Sequence, residues 1–239
     1  MKSLADLHTH TIASGHAYNT VMEMIHAAAQ KELPILGISD HAPSMRGCMD
    51  EIYFWNFNAI PREVEGVRVL FGCELNIMDY HGKTDLSEKA LKRLDYAIAS
   101  LHDLCLAFGT REENTAAVLG TMENPYVKII GHPDDGRFPL DLEAVAKAAK
   151  KNGKLLEINN SSPAPGSSRK NARENDLVLL EYCKKYEVPV IMGSDAHFMT
   201  NVAEHECSKA IIKEAGFPED LVANYSLDLL AKYIPAVRE

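Results

Sequence analysis

The 239-residue chain carries 34 acidic and 25 basic side chains, which give a net charge of −9, and 46% of its residues are hydrophobic. This composition is typical of a globular protein, and the acidic balance argues against stable nucleic-acid binding, which requires clustered Lys and Arg. The five cysteines are widely spaced and form no C-x-x-C pair, which argues against a disulfide framework and against a thiolate zinc site.

Short β-rich runs recur along the chain, and each ends in polar residues. The seven predicted strands are residues 3–10, 34–41, 67–77, 94–103, 127–135, 154–161 and 189–197. Hydrophobic periodicity predicts helices over 21–31, 87–92, 112–123, 141–151, 171–186 and 202–215. The helix over 141–151 has the clearest ends, because Asp141 can cap its first turn and Gly153 can terminate it.

This alternation predicts an α/β fold with parallel strands, which fits both a closed barrel and an open doubly wound sheet. Polar residues follow nearly every strand. In a barrel all strand ends meet at one mouth, whereas in an open sheet only the strands at the switch point contribute. We therefore expect a (β/α) barrel, with the irregular segments 42–66 and 162–175 at its mouth.

Histidines and carboxylates concentrate at these strand ends. His8 and His10 share one face of the first strand, and two neutral imidazoles that converge suit a divalent metal ion. The candidate ligands are His8, His10, His16, His41, Glu74, His102, His132, Asp195 and His197. One strand-end histidine is more often an ordinary hydrogen-bonding residue, but repetition after five strands favours a metal centre. We expect His26, His81 and His205 at the surface.

Glu74 lies within an apolar strand, where an isolated carboxylate is costly, and bridging two cations would offset that cost. Nine ligand groups exceed the needs of one tetrahedral ion, so we expect two or three ions. Imidazoles with few carboxylates favour Zn²⁺, Mn²⁺ or Fe²⁺ over Mg²⁺ or Ca²⁺.

Together these motifs resemble the PHP (polymerase and histidinol phosphatase) superfamily, especially its YcdX-like phosphatase branch. The matching segments are DLHTHTIASGHAYNT, GISDHAP, GCELNI, SLHD, IIGHPDD, LEINNSS and GSDAH, which span nearly the whole chain. The resemblance implies a distorted (β/α)₇ TIM-like barrel formed by residues 1–239 as a single domain. It also implies a trinuclear metal centre, usually zinc, and phosphoesterase activity.

The resemblance assigns the ligands to three ions. One ion takes His8, His10, Glu74 and Asp195; the second shares Glu74 and takes His102 and His132; the third takes His16, His41 and His197. Asp6 and Asp40 lie beside ligands and could orient their imidazoles, although Asp40 could equally be a plain hydrogen-bonding residue.

The expected chemistry is direct hydrolysis of a small phosphomonoester by a hydroxide formed from metal-held water, without a phosphoenzyme. Glu74, Asp195 and His197 are the catalytic candidates, and either of the last two could protonate the leaving group. The candidates for holding the substrate are Arg169, Lys170 and Arg173 on the Ser-rich loop and Asn159 and Asn160 after the sixth strand. For each loop cation the alternative is an ordinary solvated side chain.

Other functions remain open at this point. A histidinol phosphatase is the nearest alternative, followed by a phosphodiesterase or nuclease, which the acidic charge disfavours for long nucleic acids. An amidohydrolase would typically have a carbamylated Lys or a carboxylate where this chain has His102. A non-catalytic metal-binding scaffold is disfavoured because all nine ligands are present. We expect a cytoplasmic protein without a leader or membrane span, and a homo-oligomer is compatible with the sequence.

Overall fold

The structure, a computed structural model, describes residues 1–238, and strands alternate with helices over most of this length. The strands are β1 (Ala5–Asp6), β2 (Ile35–Ile38), β3 (Glu63–Val64), β4 (Val67–Phe71), β5 (Glu74–Asn76), β6 (Ala97–Ser100), β7 (Val127–Ile130), β8 (Leu155–Asn159) and β9 (Val190–Gly193). The α-helices are α1 (Val21–Gln30), α2 (Ile52–Trp55), α3 (Glu88–Leu91), α4 (Arg111–Thr121), α5 (Leu142–Asn152), α6 (Ala172–Tyr186), α7 (Glu206–Glu214) and α8 (Leu227–Tyr233). Turns of 3-10 helix lie at Ile12–Ser14, Phe57–Ala59, Met199–Asn201, Glu219–Leu221, Ala223–Tyr225 and Pro235–Val237.

The strands form two sheets, with the orders β1-β2-β4-β3 and β5-β6-β7-β8-β9. All neighbouring strands run parallel except the β3–β4 pair, which is antiparallel. The seven predicted strands are therefore present in chain order around the fold, with the third divided into β4 and β5. The predicted α/β class with parallel strands is confirmed.

The two sheets meet at their edges through isolated bridges. Thr9 pairs with Ala196 on one side, and His41 pairs with Glu74 on the other. Only a few backbone hydrogen bonds support each of these two seams. The amide of His10 donates to the carbonyl of Ala196 at 2.9 Å and the amide of Ala196 to that of His8 at 3.3 Å on one side, and the amide of Ala42 donates to the carbonyl of Glu74 at 2.9 Å on the other. Within residues 1–238 the ladders do not close into a regular barrel, so the strand ring is distorted, as expected.

Tyr96 explains where the third predicted strand breaks. Its ring is buried, and a Cβ atom at Gly72 would lie only 2.5 Å from its Cζ atom, so only glycine fits at the break between β4 and β5. The phenol donates a 2.6 Å hydrogen bond to the carbonyl of Leu7. Tyr96 therefore links β1 to the β4–β5 break across the inside of the strand ring.

Two apolar clusters stabilise the fold. The inner cluster lies within the ring and contains side chains such as Leu7, Ile98 and Leu155, with Leu230 and Ile234 from the C-terminal region packed against them. The larger outer cluster lies between the strands and the helices. Burial of apolar surface in these two layers provides the main stabilising free energy and leaves the polar strand ends at one mouth.

The helices agree with the prediction except near the mouth and the C-terminus. The predicted ends of α5 are confirmed, because the Asp141 side chain accepts the amide of Ala144 and Gly153 adopts a φ of 61°. The predicted helix over 202–215 begins only at Glu206, after a turn at Ala203 with a φ of 59°. Helix α8 was not predicted. None of the helices in residues 1–238 is both long and apolar enough to cross a membrane.

Candidate metal centre

The buried Glu74 carboxylate lies at the centre of a ring of imidazoles, at the point where β5 begins. Its Oε2 atom lies 2.9 Å from Nδ1 of His41, 3.3 Å from Nε2 of His8 and 3.4 Å from Nε2 of His10. Its Oε1 atom lies 3.0 Å from Nε2 of His132 and 3.2 Å from Nε2 of His102. The break after Gly72 therefore places one carboxylate among imidazoles from four other strand ends.

Asp195 is the second carboxylate of the cluster, and its two oxygens face different groups. Oδ1 lies 3.3 Å from Nε2 of His10 and 3.6 Å from Nε2 of His8. Oδ2 accepts hydrogen bonds from Nη2 of Arg169 at 2.9 Å and from the hydroxyl of Ser161 at 3.0 Å. Asp195 has a φ of 54°, an uncommon conformation for a residue other than glycine and one that concentrates at functional sites.

Hydrogen bonds to Nδ1 fix the tautomers of His8 and His10. The Nδ1 of His8 donates to Oε1 of Glu157 at 2.6 Å. The hydroxyl of Ser14 donates its proton to Asp40 at 2.6 Å, so it accepts the proton of His10 Nδ1 at 3.0 Å. In its neutral form each ring therefore presents a bare Nε2 lone pair to the two carboxylates.

The same pattern holds for three further rings. His16 and His197 donate from Nδ1 to the backbone carbonyls of Ser14 and Asp195, at 2.9 and 3.0 Å. The amide nitrogen of Asn76 donates to neighbouring oxygens, so its Oδ1 accepts from Nδ1 of His102 at 2.7 Å. Two rings are exceptions. His41 presents Nδ1 to Glu74, and Nδ1 of His132 has no partner among the described residues.

These tautomers leave lone pairs that face one another. The Nε2 atoms of His16 and His197 lie 2.9 Å apart, and in the neutral rings protonated at Nδ1 neither of these atoms carries a proton to share. Buried atoms without a hydrogen-bond partner in residues 1–238 include Nε2 of His8, Nε2 of His10 and Oε2 of Glu74. Buried polar atoms are almost always satisfied, so a cluster of convergent acceptors fits a set of divalent cations.

Three groups of ligand atoms, each within 4.8 Å of one another, occur in the part of the chain that the structure describes. They are His8, His10 and Glu74; His41, Glu74 and His102; and His10, His41 and His197. The first lies within one predicted ion site. The other two combine residues that the resemblance divides between ions, with His41 turned toward Glu74. The number of ions and their exact ligands stay predictions.

Burial and neighbouring charged groups both shift the pKa values of the side chains in the cluster. Burial alone would lower the pKa of His8, but Glu157, Glu74 and Asp195 outweigh it and raise the pKa well above its usual value. Burial and the neighbouring rings of His197 and His41 hold the pKa of His10 well below its usual value. Burial would raise the pKa of Glu74, but the surrounding imidazoles outweigh it and hold that carboxyl ionised.

Glu157 is a member of the site that the sequence reasoning missed. Besides Nδ1 of His8, it accepts the amide of His132 at 2.8 Å and the side-chain amide of Asn159 at 3.1 Å. The criterion applied to Glu74 would have identified it, because Glu157 is also a carboxylate within an apolar strand. Through the imidazole of His8 and the backbone amide of His132, Glu157 therefore contacts residues of two predicted ion sites.

Asp40 and Asp6 differ in what they contact. Asp40 acts on His10 indirectly, through Ser14, and also accepts the phenol of Tyr53 at 2.7 Å. Asp6 accepts the backbone amides of Ser194 and Ala203, at 3.1 and 2.8 Å. The backbone amide of His8 also donates to Asp6 at 3.5 Å, but among the described residues Asp6 contacts no imidazole of the candidate ligands. Its predicted orienting role has no imidazole contact to support it and stays a prediction.

His205 is also a correction, because it is buried rather than exposed. Its Nδ1 lies 3.0 Å from the Ser3 hydroxyl, and its Nε2 lies 3.7 Å from Asp6. The later start of α7 places His205 at the position before the helix, where its ring turns inward. His26 and His81 are exposed, as predicted.

The predicted substrate-binding residues separate into two groups. Arg169 and Asn159 belong to the cluster, since Nη1 of Arg169 donates to Oδ1 of Asn159 at 3.2 Å. Arg173 instead pairs with Glu214 at the surface, and Asn160 caps the start of α7 by accepting the amide of Cys207. Lys170 does not line the cavity above the cluster. Arg173 and Asn160 do not line the cavity either, so the structure offers no support for their predicted role in substrate binding, which stays a prediction.

A cavity of ≈ 560 Å³ opens above the cluster. Its floor includes the ligands Glu74 and Asp195 together with the imidazoles of His16, His41, His102, His132 and His197. Its wall contains three arginines, Arg46, Arg137 and Arg169, and three apolar side chains, Met45, Leu101 and Leu104. The arrangement can hold a small anionic molecule above a metal cluster.

Comparisons with known proteins agree with this picture. Residues 6–161 match the family model of the PHP domain. A probable phosphatase of Caldicellulosiruptor saccharolyticus is 45% identical over 229 residues, which are 96% of this chain and 95% of that protein. A probable phosphatase of Acetivibrio thermocellus is 43% identical over 239 residues, which are 100% of this chain and 98% of that protein.

Two solved structures share the fold. Histidinol phosphate phosphatase of Lactococcus lactis, crystallised with zinc, L-histidinol and phosphate, has a TM-score of 0.60 at 15% identity and covers 91% of this chain and 95% of that chain. A chain of archaeal ribonuclease P, studied with mature tRNA, has a TM-score of 0.56 at 16% identity and covers 98% of this chain and 90% of its own.

Proposed function

This chain belongs to the PHP domain family, and from that membership we propose that it is a metal-dependent phosphatase that hydrolyses a small phosphomonoester. The observation that carries the proposal is the convergence of buried imidazole nitrogens without hydrogen-bond partners on Glu74 and Asp195 at the floor of an open cavity. The relatives that are about 45% identical over nearly the whole chain bear the name probable phosphatase, which agrees with this reaction.

The nine strand-end residues would hold the metal ions. We propose three ions, with Zn²⁺ the main candidate and Mn²⁺ or Fe²⁺ as alternatives, because imidazoles outnumber carboxylates in the donor set. Zinc is present in the Lactococcus lactis structure that shares this fold. When bound, such ions lower the pKa of coordinated water and offset the charge that develops on the phosphate during in-line displacement.

Glu74 and Asp195 have distinct proposed tasks. Glu74 offers one oxygen to each of two imidazole sets, so it can bridge two cations. Asp195 faces imidazoles with Oδ1 and holds Arg169 with Oδ2. Burial would raise the pKa of Asp195, but His8 and Arg169 outweigh it and hold the pKa well below its usual value. This favours Asp195 as a ligand over Asp195 as the proton donor to the leaving group.

Arg169 is the proposed phosphate-binding residue. Nη1 is held by the side-chain oxygens of Asn159, Ser161 and Ser162, and Nη2 is held by Asp195. These bonds fix the guanidinium at the cavity wall, while its Nε donates to no partner among the described residues. A fixed guanidinium with remaining donors suits a phosphate oxygen that also faces the metal cluster.

The test is hydrolysis of a phosphomonoester panel by purified protein supplied with Zn²⁺ or Mn²⁺. We expect His8→Ala and Glu74→Gln to lower kcat/KM by about 100-fold or more, since both change the metal donor set. His26→Ala, which changes an exposed histidine outside the cluster, is the matched control. Hydrolysis that survives both variants, or no hydrolysis of any monoester, would contradict the proposal.

The same panel separates the alternatives. Histidinol phosphate tests the activity named for the Lactococcus lactis protein, and bis(p-nitrophenyl) phosphate and single-stranded oligonucleotides test diesterase and nuclease activity. Metal binding without turnover of any ester would favour a non-catalytic scaffold.

A further inference from the structure

We propose that the substrate carries a second anionic group, a carboxylate or another phosphate, on its leaving alcohol, and that Arg46 binds this group. The proposal rests on the phosphatase function above and specifies the class of substrate. It follows from the pairing of the charges that line the cavity, from the anchored position of Arg46, and from the apolar surface of the cavity wall.

Arg46 differs from the other two arginines of the cavity in having no partner. Arg169 donates to Asp195, and Arg137 donates to Asp135 with both Nε and Nη2 and to Asp103 with Nη1. Arg46 makes no hydrogen bond or ion pair with any residue between Met1 and Arg238. It is therefore the lining cation whose charge no carboxylate of the described chain offsets.

The carboxylates that line the cavity are all engaged. Glu74 faces imidazoles, Asp195 holds Arg169, and Asp103 holds Arg137. Within residues 1–238 the lining thus offers a free guanidinium and no free acid. A leaving alcohol with an anionic group matches this balance, whereas an amino alcohol such as histidinol would bring a second positive charge toward Arg46.

The segment that carries Arg46 is tied to the metal cluster on both sides. The amide of Ala42 donates to the carbonyl of Glu74 at 2.9 Å, and the amide of Met49 donates to the carbonyl of Ala13 at 3.2 Å. Gly15 approaches Gly47 so closely that a Cβ atom on Gly15 would lie 2.5 Å from the Gly47 carbonyl oxygen. These contacts hold the backbone beside Arg46 at a set position relative to the ligand His16.

Apolar side chains also line the cavity. Met45 and Leu101 are buried, and Leu104 is exposed at the rim. They offer a surface for a short carbon skeleton between the reacting phosphate and the second anion. The cavity thus fits a compact molecule with one anionic group at each end.

The experiment compares pairs of phosphomonoesters that differ in the second anion. The pairs are 3-phosphoglycerate with glycerol 3-phosphate, and fructose 1,6-bisphosphate with fructose 6-phosphate. For at least one pair we expect the wild-type enzyme to favour the member that carries the second anionic group. Arg46→Gln should lower the ratio of the two kcat/KM values by about 10- to 100-fold, and Arg46→Lys should restore part of it. The pair that responds identifies the anion as carboxylate or phosphate.

Lys213→Gln is the matched control, because Lys213 is an exposed cation on α7 and its loss changes the net charge equally. If Arg46→Gln leaves the ratio of kcat/KM values within about twofold of wild type for both pairs, the inference is overturned. The proposed function would still stand in that case, because the esters are hydrolysed.

A binding measurement tests Arg46 independently of turnover. By calorimetry, 3-phosphonopropionate should bind the wild-type protein about tenfold more tightly than propylphosphonate, in which a methyl group replaces the carboxylate, and Arg46→Gln should remove the difference. Equal affinity of the wild-type protein for the two phosphonates, together with no response of the fructose pair, would overturn the inference. If no ester is hydrolysed but the phosphonates are discriminated through Arg46, the inference stands and the proposed reaction fails.

Discussion

Nε2 of His16 lies 2.9 Å from Nε2 of His197, while Nδ1 of each ring donates to a backbone carbonyl. Two neutral rings in these tautomers direct lone pairs at each other, an arrangement that a cation between or beside them would stabilise. The relationship therefore gives a prediction about stability as well as about catalysis.

Removal of bound metal should lower the melting temperature, and returning Zn²⁺ should restore it, because a ligand that binds only the folded state adds to its stability. His16→Ala should reduce the size of this metal-dependent shift, whereas His26→Ala should preserve it. Differential scanning calorimetry with and without chelator checks this. Equal melting temperatures in the two conditions would count against a metal cluster that stabilises the fold.

Glu157→Gln should weaken metal binding by about 10- to 100-fold, because the carboxylate that orients His8 and raises its basicity is lost. Competition with a chromophoric zinc chelator measures the affinity directly. Glu206→Gln, a neutralised carboxylate at the exposed start of α7, is the control. An unchanged zinc affinity in Glu157→Gln would show that His8 does not depend on this partner.

Ser14→Ala should destabilise the fold by roughly 1–3 kcal/mol, since its hydroxyl serves Asp40, His10 and the amide of His41 in a fully buried position. Tyr53→Phe is the graded comparison, because it removes one donor to Asp40 and keeps the bond from Ser14. Urea unfolding of the metal-free proteins should give a lower free energy of unfolding for Ser14→Ala than for Tyr53→Phe. The reverse order would contradict the proposed role of Ser14.

Because of Lys154, the free energy of unfolding should increase as the pH rises from about 8 to about 10. Burial, with a smaller effect of Lys128, lowers the pKa of Lys154 to about 8, while its amine donates to the carbonyls of Asn124 and Val127. Between the folded and unfolded pKa values the unfolded chain binds more protons, so the folded state gains stability as pH rises. Lys154→Met should lack this component, which parallel urea titrations at pH 7.5 and pH 10 would reveal. Identical pH responses of the two proteins would exclude it.

The sequence was sufficient to predict which side chains cluster at the mouth, because strand ends are fixed by simple periodicities. His8, His41, His132 and Asp195 each follow a buried run, and parallel strands bring such positions to one mouth. The structure brings all nine candidates into contact with at least one other member of the cluster, although their assignment to ions stays a prediction.

The contacts around that cluster could not be predicted in the same way, because they depend on side-chain rotamers and on where loops end. Asn159 and Asn160 are neighbours in sequence, yet one turns toward Arg169 and the other toward α7. The break at Gly72 was not predicted either, because it depends on Tyr96, which lies more than twenty residues further along the chain. The three arginines of the cavity wall could not be inferred from composition either, because the chain as a whole has a net charge of −9.

The two seams of the strand ring have the fewest backbone hydrogen bonds between neighbouring strands, and the proposed metal ligands lie across both of them. His8 and His10 come from one sheet and Asp195 from the other, while His41 and Glu74 belong to opposite sides of the second seam. A cation held by such residues joins the two sheets much as a disulfide joins two chain segments in a secreted protein. Loss of the ions should therefore let the halves separate first along these seams, which hydrogen exchange at Ala196 and Glu74 would detect.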